Sequence, residues 1–170
     1  MPDINNLQFV RLITFEAFKV IPRSLFESIK EIDSATIDRI YEHSVEIMTV
    51  PVVDEKGIVV ARMPAQSVWV AALHDITHKI KGFLWLEFDV IERRVFIQAC
   101  AVDKQYQSNN GEVLNKMRDY IRSLPLPDDM KNNIQMTTTK PKALEKVGCR
   151  RSKKVLMEFK NADSEPDNKD

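Results

Sequence analysis

The stretch KGFLWLEFDVIERRVFIQACAVDKQYQSNNGEVLNKMRDYIRSL, from Lys81 to Leu124, decides the fold of this 170-residue chain. Two apolar segments flank a charged turn at Asp89 to Arg94, and a polar segment with one glycine follows them. Apolar residues then recur every three or four positions up to Leu124. This order predicts a β-hairpin that leads through a short loop into an amphipathic helix.

The loop consists of Gln107, Ser108, Asn109, Asn110 and Gly111, and it lies where the predicted helix begins. The first N–H groups of a helix have no partner inside the helix and carry partial positive charge, so small polar residues there can hold a phosphate. We therefore predict that these five residues bind a phosphorylated cofactor. The alternative is an ordinary capping loop, because Ser and Asn cap helices without any ligand.

Composition limits the class of protein. A chain of 170 residues with 44% apolar and 29% charged residues is typical of one soluble domain, which we expect to span residues 1–160. Residues 161–170 hold no core-forming side chain and are predicted to be a disordered tail. Basic and acidic residues number 25 each, so charge alone predicts neither a nucleic-acid nor a membrane partner. No segment is apolar enough to span a membrane or to act as a secretion signal, and we expect a cytoplasmic protein.

Periodicity and turn residues predict the elements on either side of the central stretch. These are a strand, or a strand running into a helix, at Asn6 to Phe18, helices at Pro22 to Glu31 and, capped by Ser34, up to Met48, an irregular hairpin or lid at Thr49 to Pro64, strands at Ser67 to Leu73, Ile80 to Val90 and Val95 to Val102, a helix at Gly111 to Leu124, a strand at Asn133 to Thr138, a short helix at Pro141 to Val147 closed by Gly148, and a last strand at Lys154 to Phe159. The fold class is α/β (α+β), with a mixed, mainly antiparallel twisted sheet flanked by helices.

The order of these elements from Ser67 to Phe159 resembles the GCN5-related N-acetyltransferase (GNAT) family. Three segments carry the resemblance: ACAVDKQYQ, which is similar to the family's strand exit, Gly111 to Leu114, which is similar to its last loop glycine and first helical leucine, and Ala143 to Cys149, which is similar to its helix end before a glycine. The resemblance implies a GNAT-like fold and acyl-CoA-dependent N-acyltransfer, with acetyl-CoA as cofactor and a small-molecule or protein amine as acceptor.

For individual residues, the resemblance implies that the backbone amides of Ser108 to Gly111 hold the cofactor's pyrophosphate. It also implies that the strand edge at Ala101 and Val102 pairs with the pantetheine arm. The loop has one glycine where the family has more, and asparagine is the substitute that adopts left-handed backbone angles most readily.

A second departure from the family is Leu144, which stands where many acetyltransferases carry a tyrosine general acid. Leucine cannot donate a proton, so the usual acid is missing. Such sequences resemble small GNAT-like proteins of bacteriophages. The alternative function is therefore a catalytically inactive interaction module or virion-associated protein, with a viral or host protein partner and a location in the host cytoplasm or the virion.

Glu87 and Tyr106 are the candidate catalytic residues. Glu87 is a carboxylate inside an apolar strand and could be a general base for an amine, as the resemblance allows, although Glu87 and Asp89 could also share a solvated side of the strand. Tyr106 lies near the loop and could replace the missing proton donor, although aromatic packing at the strand end is the role we favour.

The histidines and cysteines predict no further site. His74, Asp75 and His78 fall on a turn between strands without a third ligand nearby, which favours a solvated turn over a metal site. Cys100 and Cys149 lack metal-ligand spacing and a partnered base, so we predict reduced thiols, with Cys149 packing as an apolar residue.

Overall fold

The computed structural model describes residues 2–107, 111–138, 141–146 and 148–153. The chain divides into two units, Met1–Thr139 and Lys140–Asp170. Within the described residues, no helix is both long and apolar enough to cross a membrane. The first unit contains the central stretch from which the fold was predicted.

A five-stranded sheet organises the first unit, in the order β1-β4-β5-β6-β7. Its strands are β1 (Gln8–Arg11), β4 (Val68–His74), β5 (Ile80–Asp89), β6 (Arg94–Val102) and β7 (Ile134–Met136). The first four are joined antiparallel, and β7 pairs parallel with β6. The mixed, mainly antiparallel sheet predicted from the sequence is confirmed, including the three consecutive strands of the central meander.

Four short helices cover one face of this sheet, which we call the N-terminal face. They are α1 (Ala17–Val20), α2 (Arg23–Glu27), α3 (Ser34–Glu42) and α4 (Ser44–Met48). Phe18 and Phe26 are buried there, and Phe26 packs on Phe83 of β5 with ring centroids 4.6 Å apart. Burial of this aromatic cluster holds the helices to the sheet, since each aromatic side chain removes a large apolar area from water.

The single helix predicted from Ser34 to Met48 is wrong in two details. Its N-cap is Asp33, whose carboxylate accepts a hydrogen bond from the Thr36 N–H, and not Ser34. The helix also breaks at His43, because the buried Ser44 hydroxyl donates to the Phe15 carbonyl and accepts from the Phe18 N–H. A hydroxyl committed to another segment in this way fixes where α4 begins.

Helix α5 (Glu112–Ser123) covers the opposite face, which we call the α5 face. Its stripe of Val113, Met117 and Ile121 is buried against apolar side chains of the three central strands. The Trp69 indole N–H of β4 donates to the Tyr120 hydroxyl at 2.9 Å and so ties the last turns of α5 to the sheet. A short helix that was not predicted, α6 (Asp128–Lys131), follows the prolines after α5 and leads into β7.

A two-stranded hairpin separate from the main sheet, β2 (Thr49–Val53) and β3 (Val59–Pro64), forms the segment predicted as an irregular hairpin or lid. We call Thr49–Pro64 the arm. Its turn is built by Asp54, whose carboxylate accepts from the N–H groups of Lys56 and Ile58, and by Gly57 at φ 78°.

The second unit contains α7 (Pro141–Glu145), which ends earlier than the predicted helix. Gly148 adopts φ 91° and the Cys149 N–H donates to the Leu144 carbonyl, the hydrogen bonding of a glycine-closed helix end. Cys149 is exposed, so the packing role predicted for it is wrong. The strand predicted at Lys154 to Phe159 and the tail at 161–170 lie outside the described residues.

Gly82 fixes the spacing between β5 and β6. A Cβ atom at this position would lie 2.7 Å from the Ala101 carbonyl oxygen, which belongs to the backbone and cannot rotate away. We therefore expect Gly82→Ala to lower the free energy of unfolding by about 1–3 kcal/mol, as overpacking does. Urea denaturation measures the change, and a variant as stable as the native protein would contradict the close approach of these two strands.

Candidate active site

A β-bulge at Gln98 divides β6 into two parts. Leu86 pairs with Ile97 and Trp85 with Ala99, so Gln98 is an extra residue on β6 that no residue of β5 opposes. A bulge bends its strand and increases the local twist. The bend falls directly after Ile97, the last residue of β6 that pairs with β7.

The part of β6 after the bulge has a free edge, by which we mean its side facing away from β5. Within the described chain, β7 pairs only with Val95, Phe96 and Ile97, and β6 continues to Val102 without a partner on that side. The Asp103 N–H donates to the Lys81 carbonyl of β5, so by strand alternation the peptide groups of Cys100 and Val102 point to the free edge.

Of the two residues predicted to pair with a pantetheine arm, Ala101 and Val102, only Val102 presents its peptide groups at the free edge. Val102 turns its carbonyl outward, where the Gln107 side-chain amide donates to it at 3.0 Å. Ala101 pairs with Phe83, and the same alternation turns its peptide groups toward β5. Cys100 presents its peptide groups to the edge instead, a residue that the sequence analysis did not select.

The free edge leads into the start of α5. After β6 a turn of 3-10 helix, Lys104–Tyr106, brings the chain to Gln107, and α5 begins behind Gly111. Gly111, the residue before α5, has φ 81° and no side chain that could cap the helix. The first N–H groups of a helix have no partner inside the helix and can bind an anion. Ser108, Asn109 and Asn110 lie outside the described residues, so the predicted phosphate loop can be placed only at its two ends.

Glu87 lies on β5 beside the bulge. It pairs with Phe96, two residues before Gln98, and alternation puts its side chain on the N-terminal face with Phe83 and Trp85. The neighbouring acid Asp89 is used structurally: it accepts from the Glu92 N–H and lies 3.3 Å from the Arg94 Nε. The hydrogen bond from the Glu92 N–H has the largest effect on the pKa of the Asp89 carboxyl and lowers it. The interaction with Arg94 lowers it further. Asp89 is therefore engaged in the β5–β6 turn, whereas Glu87 precedes that turn and lies nearer the bulge.

Tyr106 is buried in the core of the α5 face, with 6% of its surface exposed. Desolvation, followed by the charges of Asp75 and Asp103, raises the pKa of its phenol. Its backbone follows Asp103 beside Lys81, six residues from Glu87 along β5, which is about 20 Å at the usual rise of a strand. The structure therefore does not bring Glu87 and Tyr106 together at one reacting atom.

The segment with His74, Asp75 and His78 forms the turn between β4 and β5. The Asp75 carboxylate accepts from the Thr77 hydroxyl and from the N–H groups of Thr77 and Lys79. These bonds, led by the Thr77 hydroxyl, lower the pKa of Asp75. The acid in this segment is thus occupied in closing the turn.

Cys100 is partly buried near the free edge. Desolvation raises the pKa of its thiol to about 11. A thiol that stays protonated at neutral pH is a weak nucleophile, so the side chain of Cys100 is unsuited to covalent catalysis.

The bulge is the feature of the site that sequence reasoning missed. A signal was present, since Gln98 is a polar residue inside the apolar segment VFIQACAV. Val95 and Ile97 pack on the α5 face, Ala99 on the N-terminal face and Cys100 again on the α5 face. Two residues, Gln98 and Ala99, therefore occupy the place of one in the alternation.

A shallow groove with a volume of about 400 Å³ lies at the other edge of the sheet, beside β1. It is lined by Leu7, Gln8, Phe9, Lys116, Asp119 and Tyr120. The sheet order places β4 and β5 between this groove and β6, so it is separate from the bulge and the free edge.

No known protein-family model and no curated protein sequence matches this chain. Solved structures do match. A possible acetyltransferase from Clostridium difficile has a TM-score of 0.59 at 12% identity, with 91% of this chain and 97% of the other covered. A spermidine N-acetyltransferase from Vibrio cholerae has a TM-score of 0.55 at 16% identity, with 91% and 85% covered.

An aminoglycoside antibiotic 6'-N-acetyltransferase from Acinetobacter baumannii also matches, with a TM-score of 0.51 at 6% identity and 91% and 98% of the two chains covered. At such low identity these likenesses show the fold, and the predicted resemblance to bacteriophage proteins stays a prediction. The bulged strand, its free edge and the helix behind Gly111 are arranged on a sheet shared with these enzymes. The chain has the fold of the GNAT acetyltransferases.

Proposed function

We propose that this protein is an acyl-CoA-dependent N-acyltransferase that transfers an acetyl group to an amine. The observation that carries the proposal is the free edge of β6, which opens at the Gln98 bulge and leads to the start of α5 behind Gly111. An extended ligand with a phosphate at one end matches these two features, because strand edges bind extended chains and helix starts bind anions.

The residues present fit such a cofactor at three points. The peptide groups of Cys100 and Val102 would hydrogen-bond along an extended arm, and the first amides of α5, with Gly111, would face its phosphates. Gln107 would release the Val102 carbonyl and turn its amide to the ligand. When bound, acetyl-CoA supplies an activated acyl group and a thiolate leaving group.

Glu87 is assigned the role of general base. It lies within two strand positions of the bulge, where the free edge ends, and a carboxylate there can accept the proton of an incoming ammonium or amine. The remaining work of the site is to hold two reactants in line, which can account for a large part of a rate enhancement.

Tyr106 is assigned a supporting role. It follows the end of β6 beside Lys81, six residues from Glu87 along β5, and is buried in the core of the α5 face. With Leu144 where the family's tyrosine acid stands, the leaving thiolate would take its proton from water, and turnover should be slow.

Thermal melting and thiol release test the proposal together. Acetyl-CoA at a hundred times its dissociation constant should add about 2.7 kcal/mol of stability. Thiol release is then measured with spermidine and an aminoglycoside, acceptors suggested by the names of the structural neighbours. A peptide with a free amino terminus is included as a protein-like acceptor. Absence of both a melting shift and thiol release would favour the alternative, a non-catalytic interaction module.

Gly111→Val tests the cofactor end of the site. Valine at φ 81° strains the backbone directly before the first amides of α5 and would displace them. We expect binding of coenzyme A, measured by titration calorimetry, to weaken at least about tenfold. Unchanged affinity in a folded variant would contradict the phosphate assignment.

A further inference from the structure

The five-stranded sheet is also open at β1. This strand comes first in the sheet order, so within the described residues no strand pairs with its side away from β4, which we call the β1 edge. The Leu12 N–H donates to the Val70 carbonyl of β4 at 2.8 Å, so by strand alternation the peptide groups of Phe9 and Arg11 point to the β1 edge. These N–H and carbonyl groups can pair with an added strand.

The groove beside β1, which we call the β1 groove, borders this edge on the α5 face. Its wall on the side of α5 is formed by Lys116, Asp119 and Tyr120. Phe9 stacks on Tyr120 with ring centroids 4.6 Å apart, and the hydrogen bond from Trp69 holds the Tyr120 hydroxyl in place. An open strand edge supplies hydrogen bonds to an extended peptide, and a groove next to it accepts every second side chain of that peptide.

Positive charge is in excess around the β1 groove. Asp119 forms an ion pair with Arg118, whose Nε lies 3.3 Å from the carboxylate. Lys116 lines the groove, and Arg11 follows Phe9 by two residues on the same face of β1. Among the described residues, neither Lys116 nor Arg11 has an acidic partner. The charge that would complement this surface is therefore negative.

We propose that the β1 edge binds an extended acidic peptide segment of a partner protein, which joins the sheet as an antiparallel strand. Its backbone pairs with Phe9 and Arg11, and an apolar side chain contacts the rings of Phe9 and Tyr120. Acidic side chains at alternate positions face Arg11 and Lys116. The sheet order places β4 and β5 between this surface and β6, so the proposal does not depend on acyl transfer.

Other occupants fit the β1 edge less well. Two copies of this chain joined edge to edge would bring both copies of Arg11 and of Lys116 to one seam, where like charges repel. A nucleic acid would match the charge, but its phosphate backbone has no N–H groups to pair with the carbonyls of Phe9 and Arg11. Because β1 has four residues, the added strand is short and its binding is weak.

Fluorescence anisotropy of the labelled heptapeptide TETVTET tests the proposal on the full-length chain. Threonine favours extended structure, and the two glutamates and the valine lie on one face of the peptide strand. We expect saturable binding with a dissociation constant below about 1 mM. The peptide TKTVTKT, in which lysine replaces both glutamates, should bind at least about tenfold more weakly. An oligothymidylate that binds more tightly than TETVTET would overturn the choice of partner.

N-methylated peptides separate strand addition from charge attraction. In the antiparallel pair, the valine N–H of TETVTET points to β1, and the N–H of the threonine before it points away. N-methylation of the valine should weaken binding at least about tenfold, whereas N-methylation of that threonine should leave the affinity within about threefold. Equal affinities of the two methylated peptides would contradict pairing with the β1 edge.

Lys116→Glu tests the β1 groove from the side of the protein and should weaken binding of TETVTET at least about tenfold. Arg122→Glu is the matched control, because it makes the same change of charge on a side of α5 away from the groove, and it should bind within about threefold. Far-ultraviolet circular dichroism checks the fold, and Arg11→Gln decides if Lys116→Glu does not fold. A native protein that does not bind TETVTET, or equal losses in the two α5 variants, overturns the proposal.

Discussion

Glu87→Gln is expected to lower kcat for acetyl transfer by about 10²- to 10⁴-fold, the usual contribution of a positioned general base. Glutamine keeps the shape of the side chain and removes its ability to accept a proton. Glu87 does not lie on the free edge, so the affinity for acetyl-CoA should not change. Thiol release against acceptor concentration measures the rate, and the melting shift with acetyl-CoA measures the affinity.

Asp89→Asn is the matched control for this substitution. Asp89 has the same charge and lies two residues further along β5, but it is engaged with Arg94 and the Glu92 N–H. Its replacement should cost some stability and leave kcat within a few-fold of the native value. If Glu87→Gln keeps the native rate, or if both variants lose the same activity, the base is not Glu87.

Deletion of Gln98 is the second variant with a large expected effect. Removing the extra residue turns β6 into a regular strand, and the side chains of Ala99 and Cys100 keep the faces they occupy now. The core should therefore survive, with a change of about 1–2 kcal/mol in the free energy of unfolding. The bend that opens the free edge is lost, and binding of coenzyme A should weaken at least about 100-fold.

Gln98→Ala separates the bulge from the side chain that occupies it. The substitution keeps the extra residue and should bind coenzyme A within a few-fold of the native protein, because the free edge uses backbone groups of Cys100 and Val102. A deletion variant that folds and still binds coenzyme A normally would show that the free edge is not the cofactor site.

The elements that sequence predicted well are those with strong local signals. Glycine, turn residues and alternating apolar residues marked β4, β5, β6 and α5 within a few positions of their true ends. Their order, together with three short sequence segments, was enough to suggest the GNAT fold. The break at His43 was missed because it depends on Ser44 reaching Phe15, a contact between segments far apart in sequence.

The site was less predictable than the fold. Which peptide groups of β6 face the free edge depends on the bulge, and a bulge becomes visible only once the partner strand is known. The candidates Glu87 and Tyr106 were each found by residue type, but their separation is set by strand length and register. Sequence spacing alone gives neither the peptide groups that face the free edge nor the separation of these two residues.

The hydrogen bond between Trp69 and Tyr120 also supplies an optical reporter. It joins β4 to the helix that begins at the predicted cofactor loop, and the Arg11 guanidinium lies 3.7 Å from the centre of the indole ring. Indole emission responds to nearby charge and to the loss of such a bond. The chain has two tryptophans, so in a Trp85→Phe background the fluorescence of Trp69 would show, without any label, whether ligand binding pulls α5 from the sheet.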